Sequence, residues 1–131
     1  MSNIKHLHQI IMGEVYVPPL NPDLAKHWMS SLVEKIGMKK LIEPQAIYVE
    51  SVGNRGMTCC VLIETSHIAW HVWDEEQPGM LQFDLYTCGD LDPHLVYKEV
   101  QNFFGLGSYT MRVYNRANGD MDRVSIGSEI L

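Results

Sequence analysis

Ser66, His67 and His71 fall within one strand-like, half-apolar stretch, Ile63-Glu64-Thr65-Ser66-His67-Ile68-Ala69-Trp70-His71-Val72-Trp73. A hydroxyl nucleophile beside two rings that titrate near neutral pH suits nucleophilic and acid–base chemistry. The same residues also suit a turn between two strands followed by an ordinary strand histidine, because loose Ser/His matches are common and gain meaning only from context. Cys88 is a second candidate. It stands in Tyr86-Thr87-Cys88-Gly89-Asp90 at the end of a strand-like run, and strand ends and loops are where reactive groups are displayed. Cys59 and Cys60, in the apolar run Met57–Ile63, are expected to be small core hydrophobes. His6 and His8 would share a strand face at a spacing that could hold a metal. With no third ligand evident they are expected to be exposed strand histidines, and no metal is expected.

These residues must be held by the elements around them. Residues 6–17 alternate imperfectly and read as a strand that Pro18-Pro19 end. Asn21 as cap, Pro22 at the first helical position and Gly37 as stop bound a helix, with Leu24, Trp28, Leu32 and Ile36 expected to face the core. Residues 41–50 suggest a strand with Pro44 at its edge or start. The run 57–64 and the run 67–73 are two more strands, with Thr65-Ser66 near their junction. Asp74–Gly79 is a turn whose acidic residues are expected to be a solvated loop. In Met80–Cys88, Leu81, Phe83 and Leu85 fall on one face, and Gln82, Asp84 and Tyr86 on the other. Asp92 and Pro93 start a second helix that Gly105 ends, with Val96, Val100, Phe103 and Phe104 as its apolar stripe. A strand follows over 108–116, then an Asn118-Gly119 turn into a short tail strand. The order β-α-β-β-β-β-α-β predicts an α+β fold: a two-layer sandwich of an antiparallel sheet with both helices on one face, and a partner subunit able to cover the other.

The chain's 131 residues fit one domain, 1–131, able to bury its own core. With 46% hydrophobic and 20% charged residues it is globular, and a net charge of −6 with only one adjacent basic pair, Lys39-Lys40, disfavours nucleic acid and anionic membranes as partners. No apolar run approaches the ~20 residues of a membrane helix. The first ten residues lack an apolar signal core, so a cytoplasmic location is expected. Three cysteines without a CxxC pair argue against a disulfide framework or structural zinc.

Ser66-His67-Ile68-Ala69-Trp70-His71, Trp73, Asp84-Leu85-Tyr86-Thr87-Cys88-Gly89 and Asp92-Pro93 together resemble the prokaryotic S-adenosylmethionine decarboxylase proenzyme family. The likeness extends to the element order across nearly the whole chain. It implies a lyase of polyamine (spermidine) biosynthesis that cuts itself between Thr65 and Ser66, turns Ser66 into a pyruvoyl group, and uses that group to form a Schiff base with S-adenosylmethionine. It implies roles for Ser66 as the attacking hydroxyl, His71 as the base for β-elimination, Thr58 where the family has a processing serine, and Cys88 as the proton donor after decarboxylation. It also implies a homodimer with active sites near the interface.

Three positions depart from the family pattern. Residue 65 is Thr instead of Glu, the turn after Trp73 lacks its proline and is two residues longer, and Val52 replaces an aromatic that stacks on adenine. Trp73, Tyr86 and Glu75 or Glu76 are the candidates for the sulfonium, with His71 or Trp70 for adenine. The alternatives are a pyruvoyl decarboxylase of ornithine or arginine, or a non-processing relative that binds a ligand.

Overall fold

The structure, a computed structural model, describes residues 5–117, 119 and 121–124. Its elements run β1 (Leu7–Val15), α1 (Pro22–Lys35), β2 (Gln45–Val49), β3 (Gly56–Ile63), β4 (Ser66–Trp73), β5 (Gly79–Thr87), α2 (Pro93–Phe104), β6 (Leu106–Asn115) and β7 (Asp122–Val124). The strands form one antiparallel sheet in the order β2-β3-β4-β5-β1-β6-β7, so the N-terminal strand is inserted between β5 and β6. Both helices lie on one face, as the α+β reading requires. Asn118, at the expected tail turn, lies outside the described residues.

The helix ends follow from their caps. Asn21 Oδ1 accepts the Asp23 N–H at 2.8 Å, and Asp92 accepts the N–H groups of His94 and Leu95 at 3.2 Å each. Gly105 closes α2 in the left-handed conformation, φ 61°, which a glycine adopts without a Cβ penalty. Trp28 of α1 stacks on Phe103 of α2 with ring centroids 4.5 Å apart, and Trp70 of β4 meets Phe104 edge-on at 4.9 Å. This aromatic group ties the two helices to the middle of the sheet.

Several expected positions move. The buried face of α1 is Ala25, Met29, Leu32 and Val33, while Leu24 is exposed. The small Ala25 and the flexible Met29 meet the sheet, and Trp28 turns sideways into the groove between the helices. β2 begins only after the buried Pro44, which has no N–H for the ladder, and Leu41 and Ile42 are exposed. Cys59 is buried, but Cys60 is exposed: strand alternation carries it to the face opposite the helices.

Burial pushes the Cys59 thiol up to about 12 and, chiefly through burial, the Tyr109 phenol up to about 12. Both raised values favour the protonated, folded state. The stability they contribute is complete below the unfolded values, near 9 for the thiol and 10 for the phenol, and is lost as pH rises toward 12. Urea midpoints should therefore fall steeply from pH 9 to pH 12, and Cys59→Val should flatten the early part of that fall. An equally steep early fall in Cys59→Val would show that the thiol contributes nothing to it.

No helix among the described residues is long and apolar enough to cross a membrane.

Candidate active site

Sheet register decides which candidate residues meet. β3 and β4 are joined by the two-residue turn Glu64-Thr65, with Ile63 paired to Ser66 and Thr58 paired to His71. β4 and β5 pair His67 with Tyr86, which sets Ser66, at the head of β4, beside the end of β5 and the Thr87-Cys88 corner. The Cys88 backbone N–H donates to Ser66 Oγ at 3.2 Å, and the Cys88 thiol lies 4.0 Å from the same hydroxyl. Thr65 Oγ1 also contacts the Cys88 thiol and donates to the Glu64 carbonyl at 2.6 Å. Ser66 is buried and Cys88 half-buried, and both line a cavity of about 470 Å³ with Met38, Thr87, Gly89 and Asp90. The scissile bond expected from the sequence is thus a hairpin turn with a thiol against it.

Thr65 has φ 53°, in the left-handed region. A β-branched residue there crowds its Cβ against the backbone, and such conformations cost of order 1–3 kcal/mol.

The structure does not bring His71 to this place. His71 and Thr58 share a hydrogen bond of 3.1 Å between Nδ1 and Oγ1, as directly opposed residues should. They lie on the face opposite the helices, whereas Ser66 points to the helix side. Five residues at about 3.3 Å each separate His71 from Ser66 by about 16 Å along β4. One chain therefore holds two half-sites, Thr65–Ser66–Cys88 at the head of β4 and Thr58–His71 near its foot. The expectation that His71 serves Ser66 is not met within a single chain.

The expected substrate contacts divide similarly. Trp70 is fully buried against Trp28, Phe103 and Phe104, so strand alternation removes it from any ligand on the open face. Trp73 is on the open face, its ring 6.1 Å from that of His71 and its indole N–H bonded to Asn54 Oδ1 at 3.3 Å. Tyr86 lies at the other end of that face and is already covered: the Arg116 guanidinium sits 4.6 Å from its ring centroid, and His67 and His6 flank it. Arg116 thus takes the place over that ring expected for a sulfonium.

Glu75 accepts the backbone N–H groups of Gly53 (3.1 Å) and Arg55 (3.5 Å), fastening the β2–β3 loop on which Val52 is exposed. Glu76 faces a different cavity, with Met12, Glu14 and Met80.

Two groups escaped the sequence reading. Asp74, expected in a solvated loop, is buried. It accepts the Arg55 Nε–H at 2.8 Å and the Tyr48 hydroxyl at 2.8 Å. Burial, and then the bond to Asp74, push the Tyr48 phenol up. Nothing in "DEEQPG" distinguishes Asp74 from its neighbours, because its partners come from β2 and the loop after it. Asp84 gathers His8 Nε2 at 3.2 Å and His67 Nε2 at 3.7 Å. Arg116 Nη1 lies 3.4 Å from the other ring nitrogen of His8, Nδ1. His8 is therefore held between Asp84 and Arg116 by polar contacts instead of standing free on a strand.

The family described as S-adenosylmethionine decarboxylase matches residues 20–117. An S-adenosylmethionine decarboxylase proenzyme of Archaeoglobus fulgidus is 33% identical over 60 residues, which cover 46% of this chain and 52% of that relative. The match thus spans about half the length of the curated relative. The crystal structure of the adenosylmethionine decarboxylase from Aquifex aeolicus superposes with a TM-score of 0.65 at 16% identity, covering 98% of both chains, which establishes a shared fold. With the family match extending over most of the chain, the protein belongs to the S-adenosylmethionine decarboxylase family.

Proposed function

We propose that this protein is a self-cleaving proenzyme that becomes a pyruvoyl-dependent S-adenosylmethionine decarboxylase of polyamine synthesis and works as a homodimer. The observation that carries the reading is the contact of Ser66 with Cys88 at the head of β4, on the turn that would be cut. The fit of a pyruvoyl group rests on the same place: the precursor serine is buried, takes a backbone N–H, and borders a cavity of about 470 Å³. Formed from Ser66, that group supplies the electron sink an α-amino acid needs to lose carbon dioxide.

The chain's own residues do the rest. Ser66 Oγ attacks the Thr65 carbonyl, forming a C–O bond as the C–N bond breaks, and the hydroxyl proton passes to the amide nitrogen. A base then takes the Ser66 α-proton as the Cβ–O bond opens, releasing residues 1–65 with a Thr65 carboxylate. Water finally displaces ammonia from the new N-terminus of β4. A thiol is acidic enough to return a proton to the substrate carbon while staying protonated near pH 7, and Cys88 is the thiol at hand.

The base must come from elsewhere, because His71 of the same chain is about 16 Å along the strand. A second copy reversed along the strands would bring its Thr58–His71 pair to the Glu64-Thr65 turn at the head of β4, where the chain leaves the sheet and the bond to be cut lies. Trp73 of that second copy would travel with its His71 and offer a ring face to the sulfonium or the adenine. Thr58 would donate to the developing oxyanion.

A denaturing mass spectrum of purified protein tests the reading. Two chains are expected, residues 1–65 and a ketone-bearing 66–131, and the cut protein should release carbon dioxide from S-adenosylmethionine. Ser66→Ala should leave one intact chain. An intact parent after long incubation at neutral pH would overturn the self-cleavage, and carbon dioxide from ornithine or arginine alone would overturn the substrate.

A further inference from the structure

The geometry points to Thr65 as a positioning residue whose strained backbone speeds the cut at its own carbonyl. This rests on the self-cleavage proposed above and concerns a residue at which the chain departs from the family pattern. The turn Glu64-Thr65 joins two paired strands with only two residues, since Ile63 already pairs with Ser66. Such a turn with φ 53° at its second position suits Gly or Asn. The chain instead places there a β-branched residue, the type least able to adopt that conformation. The strand pairing on either side fixes the turn at both ends, so its backbone cannot relax by swinging away.

The acyl shift relieves this. In the peptide, one atom, the Ser66 nitrogen, links the Thr65 carbonyl carbon to Ser66 Cα. In the ester two atoms, Oγ and Cβ, make that link. The added atom gives the turn slack, so Thr65 can leave the left-handed region once the C–O bond has formed and the C–N bond has broken. Strain present in the uncut chain and absent from the ester lowers the barrier between them. A residue that costs stability before the cut is thereby expected to gain rate.

The test follows full-length chains made by pulse-labelled cell-free translation, with conversion to 1–65 and 66–131 timed at neutral pH. Thr65→Gly should cut about tenfold more slowly, a fold-change equivalent to about 1.4 kcal/mol. Thr65→Ala should fall between the two. Thr65→Val, β-branched but without the hydroxyl, should stay near the parental rate. In a Ser66→Ala background that cannot cut, Thr65→Gly should raise Tm by several degrees and Thr65→Val should not. A purely structural role for Thr65 would show the opposite pairing, slower cutting with lower stability. Thr65→Gly cutting as fast as the parent overturns the inference. So does Thr65→Val cutting as slowly as Thr65→Gly, which would assign the effect to the hydroxyl. A parent that never cuts overturns the proposed function itself, whereas a parent that cuts with no order among the variants overturns this inference alone.

Discussion

A His71→Ala chain and a Ser66→Ala chain, each inert alone, should recover self-cleavage when mixed. The first keeps its serine but has lost the base it would lend, and the second lends a base but has no serine. If the two half-sites of one chain are completed by a second copy, mixed dimers contain one whole site built from Ser66 and Cys88 of the first chain and Thr58 and His71 of the second. Equal amounts of the two, unfolded together and refolded, should give cleavage of about half the His71→Ala chains, the share that random pairing places in mixed dimers. Mass spectrometry identifies which chain is cut. Recovery is incompatible with His71 acting inside its own chain, and the 16 Å or so between the residues gives the physical reason to expect it. No cleavage in the mixture, with dimers present by light scattering, would remove His71 as a base delivered across the interface.

Cys88→Ala separates the two reactions. The substitution leaves the backbone N–H that Ser66 Oγ accepts, because that bond belongs to the peptide and not to the thiol. Self-cleavage should therefore continue to completion. Turnover of S-adenosylmethionine should fall by about 100-fold or more, the usual size of a lost general acid. The remaining activity should decay over successive turnovers as protons arrive at the wrong carbon. A variant that turns over at the parental rate would show that another group delivers the proton.

Much of this fold was legible in the sequence because its signals are local. Asn21-Pro22 and Asp92-Pro93 state helix starts without help from distant residues, and the period-two pattern of Met80–Thr87 states which side chains share a face. Leu24 misled because several faces of α1 are apolar enough to be buried, and the choice among them depends on where the sheet lies. Trp70 misled for a related reason: its neighbours Ala69 and His71 invite a functional reading, but parity along β4 sends it into the core with Ile68. The site was legible in part. Ser66 and Cys88 meet through a register that β4 and β5 determine between them. The distance between His71 and Ser66 was implicit in a five-residue spacing on a strand, an odd number that sends two side chains to opposite faces. The Asp74–Arg55–Tyr48 group was not legible, since its members are 19 and 26 residues apart and only the folded sheet assembles them.

The insertion of β1 between β5 and β6 bears on what a cut after Thr65 would leave behind. The first piece would carry β1, α1, β2 and β3, and the second β4, β5, α2, β6 and β7. In the sheet these pieces alternate, so that β1 of the first is flanked on both sides by strands of the second. The bonds to the buried Asp74 also cross the division, with Tyr48 and the exposed Arg55 on one piece and Asp74 on the other. The proenzyme would thus mature into two interlaced polypeptides that neither drift apart nor stand alone. Once melted, the pair would have to find each other again, so recovery of the mature fold would depend on concentration, while the uncut precursor would refold at any dilution as a single chain.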